Sequence, residues 1–162
     1  MLRTYTQLAR RSAVFAINTR LVPVQRVRMS TVITHSSITK ISTSEAPAAI
    51  GPYSQAVTLD GLVFVSGCLG FDPKTMNFVE GGVEAQARQA LTNLKAVLEA
   101  AGSEMGKVAK VTVFMKDMND FVAVNKIYEA VFGEHKPARS AVEVARLPKD
   151  ALVEIEAIAK SA

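Results

Sequence analysis

Cysteine is almost missing from this chain of 162 residues, which holds one, Cys68. A single thiol excludes an internal disulfide framework and a cysteine-built metal cluster, and it suits a reducing compartment. Histidine is nearly as scarce. His35 and His135 stand far apart, with no second ligand at zinc-like spacing beside either, so no metal centre is expected. Tryptophan is absent and aromatics make up 6% of the residues, which leaves no aromatic platform on which bases would stack. No apolar run approaches the roughly 20 residues that span a bilayer. The glycines at 67, 70, 81 and 82 lack the spacing of a phosphate-wrapping loop, and no lysine-hydroxyl pair follows them.

Acidic residues are missing from the front, where the first is Glu45. Before it stand Arg3, Arg10, Arg11, Arg20, Arg26, Arg28 and Lys40, with Leu2, Leu8, Val14, Phe15 and Ile17 available for an apolar helical side. An arginine-rich, hydroxyl-bearing, acid-poor leader predicts a mitochondrial transit peptide over residues 1–29, cut after Met29, with a matrix domain over residues 30–162. Met29 also offers a second start and hence a cytosolic form. The formal charge is +4, from 19 basic and 15 acidic residues. Removing the six arginines of the leader leaves 13 against 15, so the body carries −2. That balance argues against a phosphate-backbone partner.

What is present fits one well-buried domain, since 49% of the residues are hydrophobic. Residues 35–42 read as a first strand or extended lead-in, and residues 46–52, with two prolines and Gly51, as a shaped loop. Residues 55–59 and 62–67 form a predicted hairpin around Asp60-Gly61. Residues 67–82 read mostly as loop. Helical spacing predicts a helix over 83–101, stopped by Gly102, and a second over about 119–132, capped by Asn119 or Asp120 and ended by Gly133. A strand over 107–115 lies between them. Two alternating runs follow, 139–144 and 152–159, joined by a Leu-Pro-Lys-Asp turn and read as a terminal strand pair. The pattern predicts an α+β sheet with both helices on one face. The other face would need cover, which predicts self-association.

Strand alternation puts Arg139, Ala141 and Glu143 on one face, and Glu154, Glu156 and Ile158 on one face of the last strand. Such faces either meet water or line a site. A guanidinium can grip a carboxylate through paired donors, and a glutamate can deprotonate a water. Asn125, among apolar neighbours, either satisfies a nearby backbone group or fixes a loop at a site. Cys68 is either a small buried residue or an oxidation-sensitive thiol.

Four stretches carry a resemblance: APAAIGPYSQAV, FVSGCLG, VFMKDMNDFVAVNKIYEAVF and PARSAVEVARLPKDALVEIEAIA. From Glu45 to the C-terminus the chain resembles the Rid family of reactive-intermediate deaminases, also called the YjgF family, in a mitochondrial fungal-type form. The resemblance implies a chorismate-mutase-like mixed sheet with two helices on one face. It also implies a homotrimer with sheets inward and clefts between subunits. The implied reaction is hydrolysis of 2-imino or 2-enamino acids, 2-iminobutanoate and 2-iminopropanoate, to 2-oxo acids and ammonia without a cofactor, sparing mitochondrial enzymes from reactive products.

By position in the motifs, Arg139 is the implied carboxylate clamp, Glu154 the residue that orients or activates water, and Tyr53 the pocket tyrosine. Ser66 and Gly67 border the ligand, and Asn125 props the cleft. Ala141 replaces a cysteine common in the family, which leaves only its backbone to touch substrate. Cys68 likewise stands where the family often has glutamine. Two other readings stay open: a ribonuclease or translation inhibitor, and a non-catalytic trimer that binds small carboxylates or acts as a holdase.

Overall fold

The computed structural model describes residues 37–161, so the leader over residues 1–29 lies outside the described residues. The described chain runs β1 (Thr39–Ile41), β2 (Ala56–Leu59), β3 (Leu62–Leu69), α1 (Gly82–Ala100), β4 (Val108–Met115), α2 (Phe121–Phe132), β5 (Ala138–Glu143) and β6 (Val153–Lys160). The expected element order holds throughout. Asp60 and Gly61 turn β2 into β3 with φ of 50° and 77°, the two left-handed positions of a tight hairpin turn.

Helix α1 ends as its sequence demands. Gly102 has φ of 72°, its N–H donates to the Glu99 carbonyl at 3.0 Å, and the Ser103 N–H donates to that of Leu98 at 2.8 Å. These two bonds close the last turn around a residue that needs no Cβ. Asp120 stands at the N-cap of helix α2, one of the two positions expected, but makes no side-chain cap bond; Asp117 accepts from the Asn119 N–H at 2.8 Å, and Glu143 accepts from the Met118 N–H at 2.7 Å, which holds a 3-10 turn ahead of the helix. Gly133 ends it with φ of 56°.

The sheet order is β1-β2-β3-β6-β4-β5. Strand β6 pairs antiparallel with both β3 and β4, while β4 and β5 are parallel. The last two strands are therefore not a pair, because β4 lies between them. A parallel neighbour requires a crossover, and α2 is that crossover for β4 and β5. The Leu-Pro-Lys-Asp segment makes a 3-10 turn with Lys149 and Asp150 at φ of 55° and 60°, and it lets the chain pass β4 before re-entering the sheet.

Alternation decides which side is core. Val153, Ile155, Ala157 and Ala159 of β6 are buried with Val63 and Val65 of β3 and Val111, Val113 and Met115 of β4. Against them pack Ala87, Ala90, Leu91, Leu94 and Leu98 of α1 and Val124, Ile127 and Phe132 of α2. Both helices thus cover one face. On the other, Phe64, Thr112, Glu156 and Ile158 border an open hollow, and a smaller cluster of Leu69, Phe71, Leu147 and Ala151 covers one end.

One buried polar residue spans the two regions. Asn93 of α1, 1% exposed, donates through Nδ2 to the Leu69 and Phe71 carbonyls at 2.9 Å each and accepts from Gln89 at 2.9 Å. Asn93→Ala leaves two buried carbonyls unpaired and opens a small void, so it should destabilise the fold by about 2–4 kcal/mol. Urea denaturation of the variant beside the wild type measures this directly.

Candidate functional site

The candidate residues fall into two groups on one chain. Tyr53, Ser66 and Gly67 line a cleft of about 40 Å³ with Ala46, Pro47 and Ile50, beneath the loop that precedes β2. That loop is tied down by polar contacts. Gln55, buried, accepts from the Thr43 N–H at 2.6 Å, and its amide donates towards the Thr43, Ala46 and Pro47 carbonyls at 3.0, 3.2 and 2.8 Å. The Ser66 hydroxyl donates to the Ser54 carbonyl at 2.7 Å. Ser66 thus spends its hydroxyl proton on the loop. Tyr53 stays 49% exposed, with its hydroxyl accepting from the Ile50 N–H at 3.3 Å.

A bulge in β3 places Glu154 against Gly67 at the edge of this cleft. The register with β6 shifts between Val65, which faces Ala157, and Cys68, which faces Ile155. Ser66 and Gly67 occupy the extra length. A Cβ on Gly67 would overlap the Glu154 carboxylate, so the glycine is what lets that side chain lie against the strand. Burial, and then the charge of Glu156, raise the Glu154 carboxyl above the ordinary carboxylate range. A carboxyl so placed suits proton transfer nearer neutral pH.

Arg139 and Asn125 lie elsewhere. They line a second cleft of about 510 Å³ with Tyr128, Glu129, His135 and Lys136. The Arg139 register partner is Val111, a core residue on the helix side, whereas the partners of Glu154 are Leu69 and Phe114 on the opposite face. Strand β4 also separates β5 from β6. One chain therefore does not bring the guanidinium and the carboxylate onto the same small molecule. Ala141, two residues along from Arg139, packs against the main core. His135 donates from Nε2 to the Val108 carbonyl at 2.7 Å, which fixes its tautomer.

Sequence reasoning missed Gln55, Asn93 and Tyr128. Asn93 had a visible signal, an amide on the apolar stripe of α1 beside Leu94 and Val97. Gln55 had none, because its partners are backbone carbonyls of a loop whose path only the fold defines. Cys68 is settled as a buried thiol, pushed up to about 12 by burial and then by Glu154.

Comparison with known proteins agrees with the fold. The family described as Endoribonuclease L-PSP matches residues 43–161. The 2-iminobutanoate/2-iminopropanoate deaminase of Salmonella typhimurium is 59% identical over 122 residues, covering 74% of this chain and 94% of that protein. The crystal structure of the Escherichia coli YjgF gene product superposes with a TM-score of 0.73 at 54% identity, over 76% of this chain and 99% of that one. That of E. coli TdcF with bound serine superposes with a TM-score of 0.73 at 47% identity, over the same shares of the two chains.

Two measurements check the electrostatics. The folded state holds the Glu154 proton more tightly than the unfolded chain, so this group favours folding at low pH, and that contribution is lost as pH rises through the raised folded value. Glu154→Gln should therefore raise stability above that window and flatten its pH dependence, as read by urea titrations at acidic and neutral pH. Native Cys68 should resist a maleimide at mildly alkaline pH and label fully once the chain is unfolded, as mass spectrometry would show.

Proposed function

Because the chain belongs to the endoribonuclease L-PSP family, the Rid or YjgF family of its sequence motifs, we propose that it hydrolyses small 2-imino acids to 2-oxo acids and ammonia. Relatives at 57–59% identity carry the name 2-iminobutanoate/2-iminopropanoate deaminase, and a structural neighbour holds serine, a small amino acid carboxylate. The substrates in this reading are 2-iminobutanoate and 2-iminopropanoate. The working unit is a homotrimer in which Arg139 and Asn125 of one subunit face Tyr53, Gly67 and Glu154 of its neighbour.

One observation carries this reading: the clamp and the proton acceptor are both present on the chain, yet they occupy opposite faces of the sheet. Rotational assembly places unlike patches together and repeats the junction around the ring. It also covers the open sheet face around Phe64 and Ile158.

The chemistry then divides between subunits. Arg139 grips the carboxylate through paired N–H donors, which lysine would not match. Glu154 takes a proton from water as the water oxygen bonds to the imine carbon. That proton passes to nitrogen to give a carbinolamine, whose hydroxyl proton then moves to nitrogen as the carbon–nitrogen bond breaks, so ammonia leaves and a 2-oxo acid remains. Fixing water and substrate together supplies the rate, since the imine carbon is already electrophilic. The body's −2 charge and sparse aromatics speak against the ribonuclease reading. The acid-free leader supports a matrix location, where the enzyme would spare other enzymes from reactive imines. A reporter fused to residues 1–29 that stays cytosolic would refute that placement.

Residues 30–162 should release ammonia from freshly generated 2-iminobutanoate faster than the spontaneous rate, and Arg139→Ala and Glu154→Ala should each lose at least about 100-fold. Mixing the two inactive variants during refolding tests the shared site. Each mixed ring restores one junction in three, so an equimolar mixture should regain about a quarter of wild-type turnover. A mixture as inactive as its parents refutes the composite site, and a wild type no faster than buffer refutes the deaminase.

A further inference from the structure

Arg139 is held in an unusual way. Its guanidinium carbon lies 4.5 Å from the ring centroid of Tyr128 and 5.7 Å from that of Phe121, both on α2. Among the described residues no carboxylate forms an ion pair with it, and no side-chain hydrogen bond fixes it. Aromatic faces are thus its principal polar restraint, and a cation is attracted to the negative face of such a ring. All of its N–H donors stay available.

Tyr128 is placed by packing, not by its hydroxyl. It is 8% exposed, its ring lies 4.4 Å from that of Phe132, and its hydroxyl is buried with no hydrogen-bond partner among the described residues. Leaving that oxygen unpaired costs free energy, so what keeps the ring there is its contacts. Burial raises the phenol pKa more than Arg139 lowers it. The phenol therefore stays neutral, and the pair is a cation on a ring and not an ion pair.

We infer that Tyr128 is a positioning residue for Arg139: its ring face, backed by Phe132, sets the guanidinium plane while leaving every N–H donor free for a carboxylate entering the cleft. An acidic partner in the same place would have occupied two of those donors and cancelled the charge that draws the substrate. The inference deepens the proposed function, since it rests on Arg139 as the carboxylate clamp.

The test replaces Tyr128 with phenylalanine and then with 4-fluoro-, 3,5-difluoro- and 3,4,5-trifluorophenylalanine, in residues 30–162. Fluorine drains the ring face of negative charge while nearly preserving its volume. Calorimetric affinity for 2-oxobutanoate is read beside deaminase turnover and thermal stability. Y128F should bind within about twofold of wild type, and affinity should then fall stepwise by about three- to tenfold across the series, with kcat near constant. In an Arg139→Ala background the series should be flat. Equal affinity across the series, or a loss confined to kcat, overturns the positioning role. Unchanged binding in Arg139→Ala alone instead removes the clamp itself, and turnover no faster than buffer with a graded affinity removes only the deaminase reading.

Discussion

Strand β6 makes two incompatible demands on one segment, and the rest of the structure follows from how they are met. Val153, Ile155, Ala157 and Ala159 must be dry, and they meet α1 and α2. Glu154 and Glu156, interleaved with them, must not be buried in that core, because an ionised carboxylate loses several kcal/mol or more on leaving water unpaired. Strand periodicity resolves the conflict by sending the two sets to opposite faces. The cost is a sheet face left open around Phe64, Thr112 and Ile158.

The same alternation explains why Arg139 and Glu154 lie on opposite faces of the sheet. Arg139 belongs to the parallel strand β5, on the side where α2 offers Tyr128 and Phe121. Glu154 belongs to the side where the β3 bulge and Gly67 give it room. Each group is supported by its own surroundings: rings beneath the guanidinium, a glycine beneath the carboxylate. On the Tyr53 and Gly67 side, the loop ahead of β2 is tied by the buried Gln55 amide and the segment after β3 by that of Asn93. Preorganisation of this kind is what positional catalysis requires.

Electrostatics reinforce the division. The raised Glu154 carboxyl sits beside another acid and beside the buried Cys68 thiol, and both groups hold their protons more tightly than they would in water. The Arg139 cleft also contains Lys136, with Glu129 as its acid.

The sequence by itself determined the elements and most of their boundaries, because each rests on local rules: helical spacing over α1, Asp60-Gly61 for the hairpin, Gly102 and Gly133 for the helix ends. It also determined which residues were chemically unusual, since Arg139 and Glu154 are charges set into alternating apolar runs. The tertiary structure alone decided the neighbours. Passing β4 between β5 and β6 is a non-local pairing, and no turn signal encodes it; the Leu-Pro-Lys-Asp segment looks the same whether it closes a hairpin or steps across a strand. The 3-10 turn ahead of α2 is held by Glu143 for a similar reason, as that side chain arrives from a distant strand. The placement of Arg139 over Tyr128, and of Glu154 on the far face, follows from register between strands, which packing sets after the local rules are satisfied.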